Sequence, residues 1–197
     1  MKAYLESSVV TDWLFLKTVE IPVRKRLGVD VKACLPLVDG IFQGRFKPHQ
    51  FVFSWWTVLE AIHNYARSRA EFRMLLEELS LRYSERVRTH PHYWLSLREL
   101  HEVRTEITEA IIRGRKLGRL TFSSLPDWNK ALPYVRMGFD AYDSLHLAIA
   151  IHGNQCTHFV TKDRDFTDSA KILKPFILIV RPQAFLNELR NSRQKVR

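Results

Sequence analysis

The period of the apolar positions changes repeatedly along this chain, and each change marks an element. Residues 2–10 (KAYLESSVV) gather β-prone and apolar residues around one acid, Glu6, and predict a buried first strand ending near it. Helical spacing follows over Thr11–Val19, with Ser7 or Ser8 positioned to cap it. Pro22 punctuates the chain, and residues 29–42 carry a weaker helical pattern interrupted by Pro36. Phe51–Ser54 (FVFS) reads as the second strand and Trp55–Arg67 as a helix. In that helix Trp56, Leu59 and His63 share a stripe that Val58, Ile62 and Tyr65 widen.

Residues 71–118 read differently. They are rich in Leu, Glu and Arg, with Pro91 as their one proline. Two amphipathic helices are expected, about Ala70–Thr89 and about Tyr93–Leu117, parted by His90-Pro91-His92 into a helical hairpin. Leu120–Phe122 predicts a short third strand, and Asp127–Arg136 a short helix. Residues 138–151 form an apolar helix around Leu145, Leu147, Ala148, Ile149 and Ile151, and His158–Thr161 a buried strand. A turn crowded with carboxylates leads to a last strand, Phe176–Val180. A closing helix, Pro182–Arg190, starts on a well-placed proline, and a basic tail occupies about 191–197. Strands separated by helices imply a parallel sheet with right-handed crossovers. The expected fold class is α/β: a central, mainly parallel sheet of four to five strands flanked by helices. We expect a single domain over 1–197, with the hairpin inserted at about 71–118.

Composition narrows the function. A chain that is 46% hydrophobic and 26% charged buries a real core and is not disordered. No apolar run reaches the roughly 18–20 residues of a membrane span, and MKAYLESSVV lacks the features of a signal peptide. The expectation is a cytoplasmic protein without membrane contact, its Cys34 and Cys156 buried as thiols. The net charge of +10 suggests a polyanionic partner, because Lys and Arg gain affinity from phosphates by counterion release; the alternative is a basic surface that engages nothing. Arg113, Arg115, Lys116 and Arg119, spread among two glycines, are candidate contacts to a nucleic-acid backbone, whereas Arg24, Lys25 and Arg26 suit a solvated face better than an RNA contact.

Missing motifs exclude several chemistries. The chain has no GxGxxG, no GxxxxGK[ST], no GxSxG and no HExxH. His90 and His92 lack a third ligand nearby, and His146 suits a packed or hydrogen-bonded role better than a ligand's. What remains is four acids at strand–helix junctions. Glu6 ends the first strand, Glu60 lies early in the helix after the second, and Asp143 opens the helix before the HFVT strand. Asp163 follows that strand, with Asp165 two residues on. In a parallel sheet these junctions share one edge, where ligands bind. Four carboxylates in a small cleft stay ionised only beside a cation. Hard oxygen ligands select Mg²⁺ or Mn²⁺, which can activate water and stabilise a phosphodiester under in-line attack.

These elements resemble the PIN-domain nucleases, the family that includes the VapC-type toxins of prokaryotes. Tyr4-Leu5-Glu6-Ser7-Ser8 is similar to the family's opening YLDTN or YLDTS, and Ser54–Glu60 (SWWTVLE) to its next strand end and helix acid. Asp143–Ala148 (DSLHLA) and Thr161–Phe166 (TKDRDF), about 13 residues apart, are the most specific part. The match spans nearly the whole chain apart from residues 71–118. It implies a three-layer sandwich and Glu6, Glu60, Asp143 and Asp163 as catalytic, metal-binding acids supported by Ser8, Thr161 and Asp165. It also implies Mg²⁺- or Mn²⁺-dependent cleavage of RNA, a homodimer, and, for toxin members, a small antitoxin as partner. Two features depart from the family. Its first acid is nearly always Asp, where this chain has Glu6, so a binding module with reduced or no nuclease activity is the alternative. The hairpin is also longer than in compact toxins. DNA in place of RNA is a third reading, since phosphate contacts do not distinguish sugars.

Overall fold

The computed structural model describes residues 1–18, 32–76, 95–117, 120–123 and 128–194, apart from the side chains of 71, 72, 74–76, 122, 193 and 194. Its centre is a five-stranded sheet: β1 (Lys2–Leu5), β2 (Gln50–Ser54), β3 (Leu120–Ser123), β4 (His158–Val160) and β5 (Leu178–Val180). The strands run in the order β3-β2-β1-β4-β5, and every pairing is parallel. Alternate residues of a strand face opposite sides, and both sides here are covered. Ala3, Leu5, Phe51, Phe53 and Val160 enter one buried cluster, whereas Tyr4, Val52 and Phe159 enter the other. Strands buried on two faces need apolar residues at consecutive positions, which is why AYL, FVF and HFV read as short continuous runs.

The first cluster is covered by α1 (Ser7–Thr18), α2 (Cys34–Phe42), α3 (Trp55–Leu76), α4 (Leu97–Lys116) and α9 (Pro182–Gln194). The second is covered by α5 (Leu132–Arg136), α6 (Ala141–Ala148) with the π-helical turn Ile149–Gly153, α7 (Arg164–Asp168) and α8 (Ala170–Leu173). Handedness explains the division. The chain steps outward from β1 to β3 with its helices on one face. It then jumps back across β1 to β4 and continues to β5, so right-handed crossovers place the next helices on the other face. Among the described residues no helix is long and apolar enough to cross a membrane. Cys34 and Cys156 are free and buried, as expected.

Several expected boundaries move. α1 starts at Ser7 rather than Thr11, so Glu6 is the single residue between strand and helix. The helix expected to end at Arg67 continues unbroken to Leu76, so the described start of the expected first hairpin arm belongs to α3. Ser68 and Arg69 do not break a helix, and the change in composition there marks no boundary. The hairpin's tip at 90–92 and the Arg24-Lys25-Arg26 stretch lie outside the described residues. Between β4 and β5, where a turn was expected, the chain forms α7 and α8, because parallel neighbours need a crossover that a tight turn cannot supply. The closing helix runs on through Gln194, into the expected tail.

Candidate functional site

Chain reversal sets the site. The topological switch point falls between β1 and β4, where a crevice opens beyond the carboxyl ends of the strands. Glu6 follows β1 directly, and its N–H donates to the Val160 carbonyl of β4 at 3.1 Å. Thr161, Lys162 and Asp163 follow β4. Glu60 comes from the second turn of α3, which leaves β2 at the same edge. α6 runs back towards the start of β4, so its N-terminus, and Asp143 with it, also lies at the carboxyl edge. Asp140 caps α6 by accepting the Asp143 N–H at 2.8 Å, and Gly138, at φ +97°, takes the left-handed turn that leads into this cap.

Glu6 is only 4% exposed, and its carboxylate accepts four hydrogen bonds. Ser7 Oγ and the Ser8 N–H (2.9 Å) donate to Oε1. Ser8 Oγ and Thr161 Oγ1 (2.9 Å) donate to Oε2. Four donors match the lone-pair capacity of a carboxylate. Ser8 Oγ in turn accepts the Lys162 N–H at 3.0 Å, and Thr161 Oγ1 accepts the Asp163 N–H at 2.9 Å. Ser8 and Thr161 thus tie β1 to β4 through Glu6. The Lys162 ammonium pairs with Asp12. Asp163 caps α7 by accepting the Asp165 N–H at 2.8 Å.

The other acids differ in how tightly they hold a proton. Burial raises the Asp143 carboxyl, and the charges of Asp140, Asp163 and Glu6 add to it, bringing its pKa to about 7. Asp163 is raised too, first by lost hydration and then by Glu6, Asp165 and Glu60, against the opposing Asp165 N–H. Burial would also raise Glu60, but the hydrogen bond and charge of His146, the Ser7 hydroxyl and His63 outweigh it and hold Glu60 below the usual range. Asp143 therefore senses Asp163 and Glu6, and Asp163 senses Glu6, Asp165 and Glu60, so the four sequence-predicted acids share one edge of the sheet.

Glu6, Glu60 and His146 offer ligand atoms within 4.8 Å of one another. The two carboxylates suit a divalent cation, whose charge would also allow Asp143 and Asp163 to ionise, while the His146 nitrogen nearest them meets Glu60 Oε2. Glu6 would have to exchange at least one hydroxyl donor for such an ion.

The basic run lies elsewhere. Arg113, Arg115 and Lys116 end α4, which feeds the amino end of β3; Leu117 packs near Gly44, ahead of β2. That is the edge opposite the acids, so these cations do not share a phosphate with the cleft. Arg119 lies outside the described residues. Sequence reasoning missed Tyr4, Ser7, Ser54, Thr57 and Asp140 as parts of the site. Tyr4, Ser7 and Ser54 stand within the motif matches without a role of their own there, and Asp140, three residues before Asp143, carried the signal of a helix cap. Comparisons with protein-family models, with curated proteins and with solved structures return no match to this chain.

Proposed function

We propose that this protein is a metal-dependent endoribonuclease of PIN type that hydrolyses RNA phosphodiester bonds at Glu6, Glu60, Asp143 and Asp163, using Mg²⁺ or Mn²⁺. The observation that carries this reading is the convergence of four carboxylates at the switch point, two of them, Asp143 and Asp163, pushed towards neutrality by burial and by their acidic neighbours. Glu6, Glu60, Asp143 and Asp163 would hold a divalent cation, which would supply compensating charge and Lewis-acid polarisation of a phosphate. Glu6 and Glu60 hold the inner part of the cleft, and Ser8 and Thr161 orient Glu6. Asp163 lines the rim with Asp165. Asp143, whose carboxyl burial and the neighbouring acids raise to about 7, would ionise beside that cation and join the carboxylates that hold it. The proposal extends, on the family resemblance, to a cytoplasmic toxin that dimerises and is held inactive by a small antitoxin. Asp143→Asn is expected to abolish RNA cleavage in Mn²⁺ while keeping the circular dichroism spectrum. Equal cleavage by wild type and variant would assign the activity to a contaminant and end the proposal.

The hydrogen-bond saturation of Glu6 favours a second reading, an RNA- or protein-binding module whose metal site is impaired. Glu6→Asp separates the two: loss of cleavage supports a working Glu6, and a large gain supports an impaired site.

A further inference from the structure

His146 is the buried group that the reaction as drawn above does not use. It is 0% exposed, on the inward face of α6. Its Nε2 meets Glu60 Oε2, and its Nδ1 lies 2.7 Å from the Tyr4 hydroxyl. Tyr4, also 0% exposed, stands 3.0 Å from Ser54 Oγ and 2.8 Å from Thr57 Oγ1, and Ser54 Oγ accepts the Thr57 N–H at 3.0 Å. The chain of contacts runs from the end of β2 and the first turn of α3, through β1, to α6 and back to α3 at Glu60.

Its polarity follows from the ends. A carboxylate that holds a cation is ionised and only accepts, so Nε2 carries the proton towards Glu60. Where the ring carries its one proton on Nε2, Nδ1 accepts from the Tyr4 hydroxyl, 2.7 Å away. Tyr4 keeps its lone pairs for the Ser54 and Thr57 hydroxyls. Every polar atom of a fully buried array is satisfied in this arrangement, the condition under which such an array is rigid rather than costly.

We propose that His146 is a positioning residue that acts through Glu60: the Tyr4 hydroxyl fixes its ring, and its Nε2–H holds one carboxylate oxygen of Glu60 so that the other is presented to the divalent cation. The inference rests on the metal-dependent reading above. Groups that orient a metal ligand from behind typically contribute about 10–100-fold in metal affinity.

Calorimetric titration of the full chain with Mn²⁺ alone tests it. His146→Leu is expected to weaken Mn²⁺ binding by about 10–100-fold. Tyr4→Phe, which keeps the ring and removes the hydroxyl, is expected to weaken it in the same direction. His146→Gln, whose amide keeps a donor near Glu60, is expected to bind more tightly than His146→Leu. In a Glu60→Gln background His146→Leu should add no further loss, a non-additivity that a merely structural role would not produce. Unchanged Mn²⁺ affinity in both Tyr4→Phe and His146→Leu overturns the inference and leaves the nuclease reading intact. So does a directly bonded nitrogen in the pulsed electron paramagnetic resonance spectrum of the Mn²⁺-loaded wild type, which would make His146 a ligand. Failure of the wild type to bind Mn²⁺ overturns both.

Discussion

Glu6 collects four hydrogen bonds, from the Ser7 and Ser8 hydroxyls, the Ser8 N–H and the Thr161 hydroxyl, on a side chain one methylene longer than aspartate's. The extra reach lets the carboxylate lie over the hydroxyls of the two residues that follow it and still meet Thr161 from β4. Aspartate at this position would hold its carboxylate back by more than an ångström, and a shift of that size can change a rate by about 100-fold. If Glu6 is the working acid, Glu6→Asp lowers RNA cleavage in Mn²⁺ by roughly that factor, as single-turnover assays would read it. A rate above wild type would instead mark Glu6 as the group that impairs the site. The identity of the acid was legible in the sequence, and so was its place at a strand end. Its hydrogen-bond load was not, because Thr161 lies 155 residues away and nothing local records that β4 lies beside β1.

At the scale of elements, α4 shows how local signals specify a helix. Its buried residues Val103, Ile107, Ala110, Ile111 and Gly114 recur at helical spacing. A capping box begins it: Ser96 accepts the Glu99 N–H, and Glu99 accepts the Ser96 N–H. The spacing of Ser96 and Glu99 was readable, although the expected helix started at Tyr93. Glu99 also binds Arg73 and Arg69 of α3, which joins the two long helices; although burial opposes it, Arg73 and Ser96 bring its pKa down to about 2. Ser96→Ala removes the cap and is expected to cost about 1 kcal/mol. In a protein of this size that lowers Tm by about 2–4 °C, measurable by thermal melts. An unchanged Tm would show that the box adds nothing to the tertiary contacts of α4.

At the scale of the whole molecule, the acid cleft couples stability to pH and to metal. The folded state raises the carboxyl pKa values of Asp143 and Asp163, so it binds these protons more tightly than the unfolded chain does. The stability linked to Asp143 is therefore fully present below the unfolded value, near 4, and is lost as pH rises through about 7. In EDTA, Asp143→Asn should gain in Tm over wild type progressively from pH 5 to pH 8. Water reaches this half-buried group, so the gain should be about 1–2 kcal/mol rather than the full value of the shift. Mn²⁺ should reverse the ranking, because the cation offsets the repulsion only where Asp143 can ionise. A constant difference across that pH range would show that Asp143 is not held near neutrality.

The sequence alone determined that this chain alternates strands with helices, that its sheet is mainly parallel, and that four acids sit at element junctions. Those properties are local: apolar period, caps and the residues that flank them. The tertiary structure alone decided that β1 lies between β2 and β4, and so which acids meet. It set the basic run of α4 at the far edge of the sheet. It also brought Tyr4 and His146, 142 residues apart, into one hydrogen bond beneath Glu60. The physical reason is that strand order follows from crossover handedness and from how two faces of one sheet are covered, and neither is encoded in any single stretch of chain.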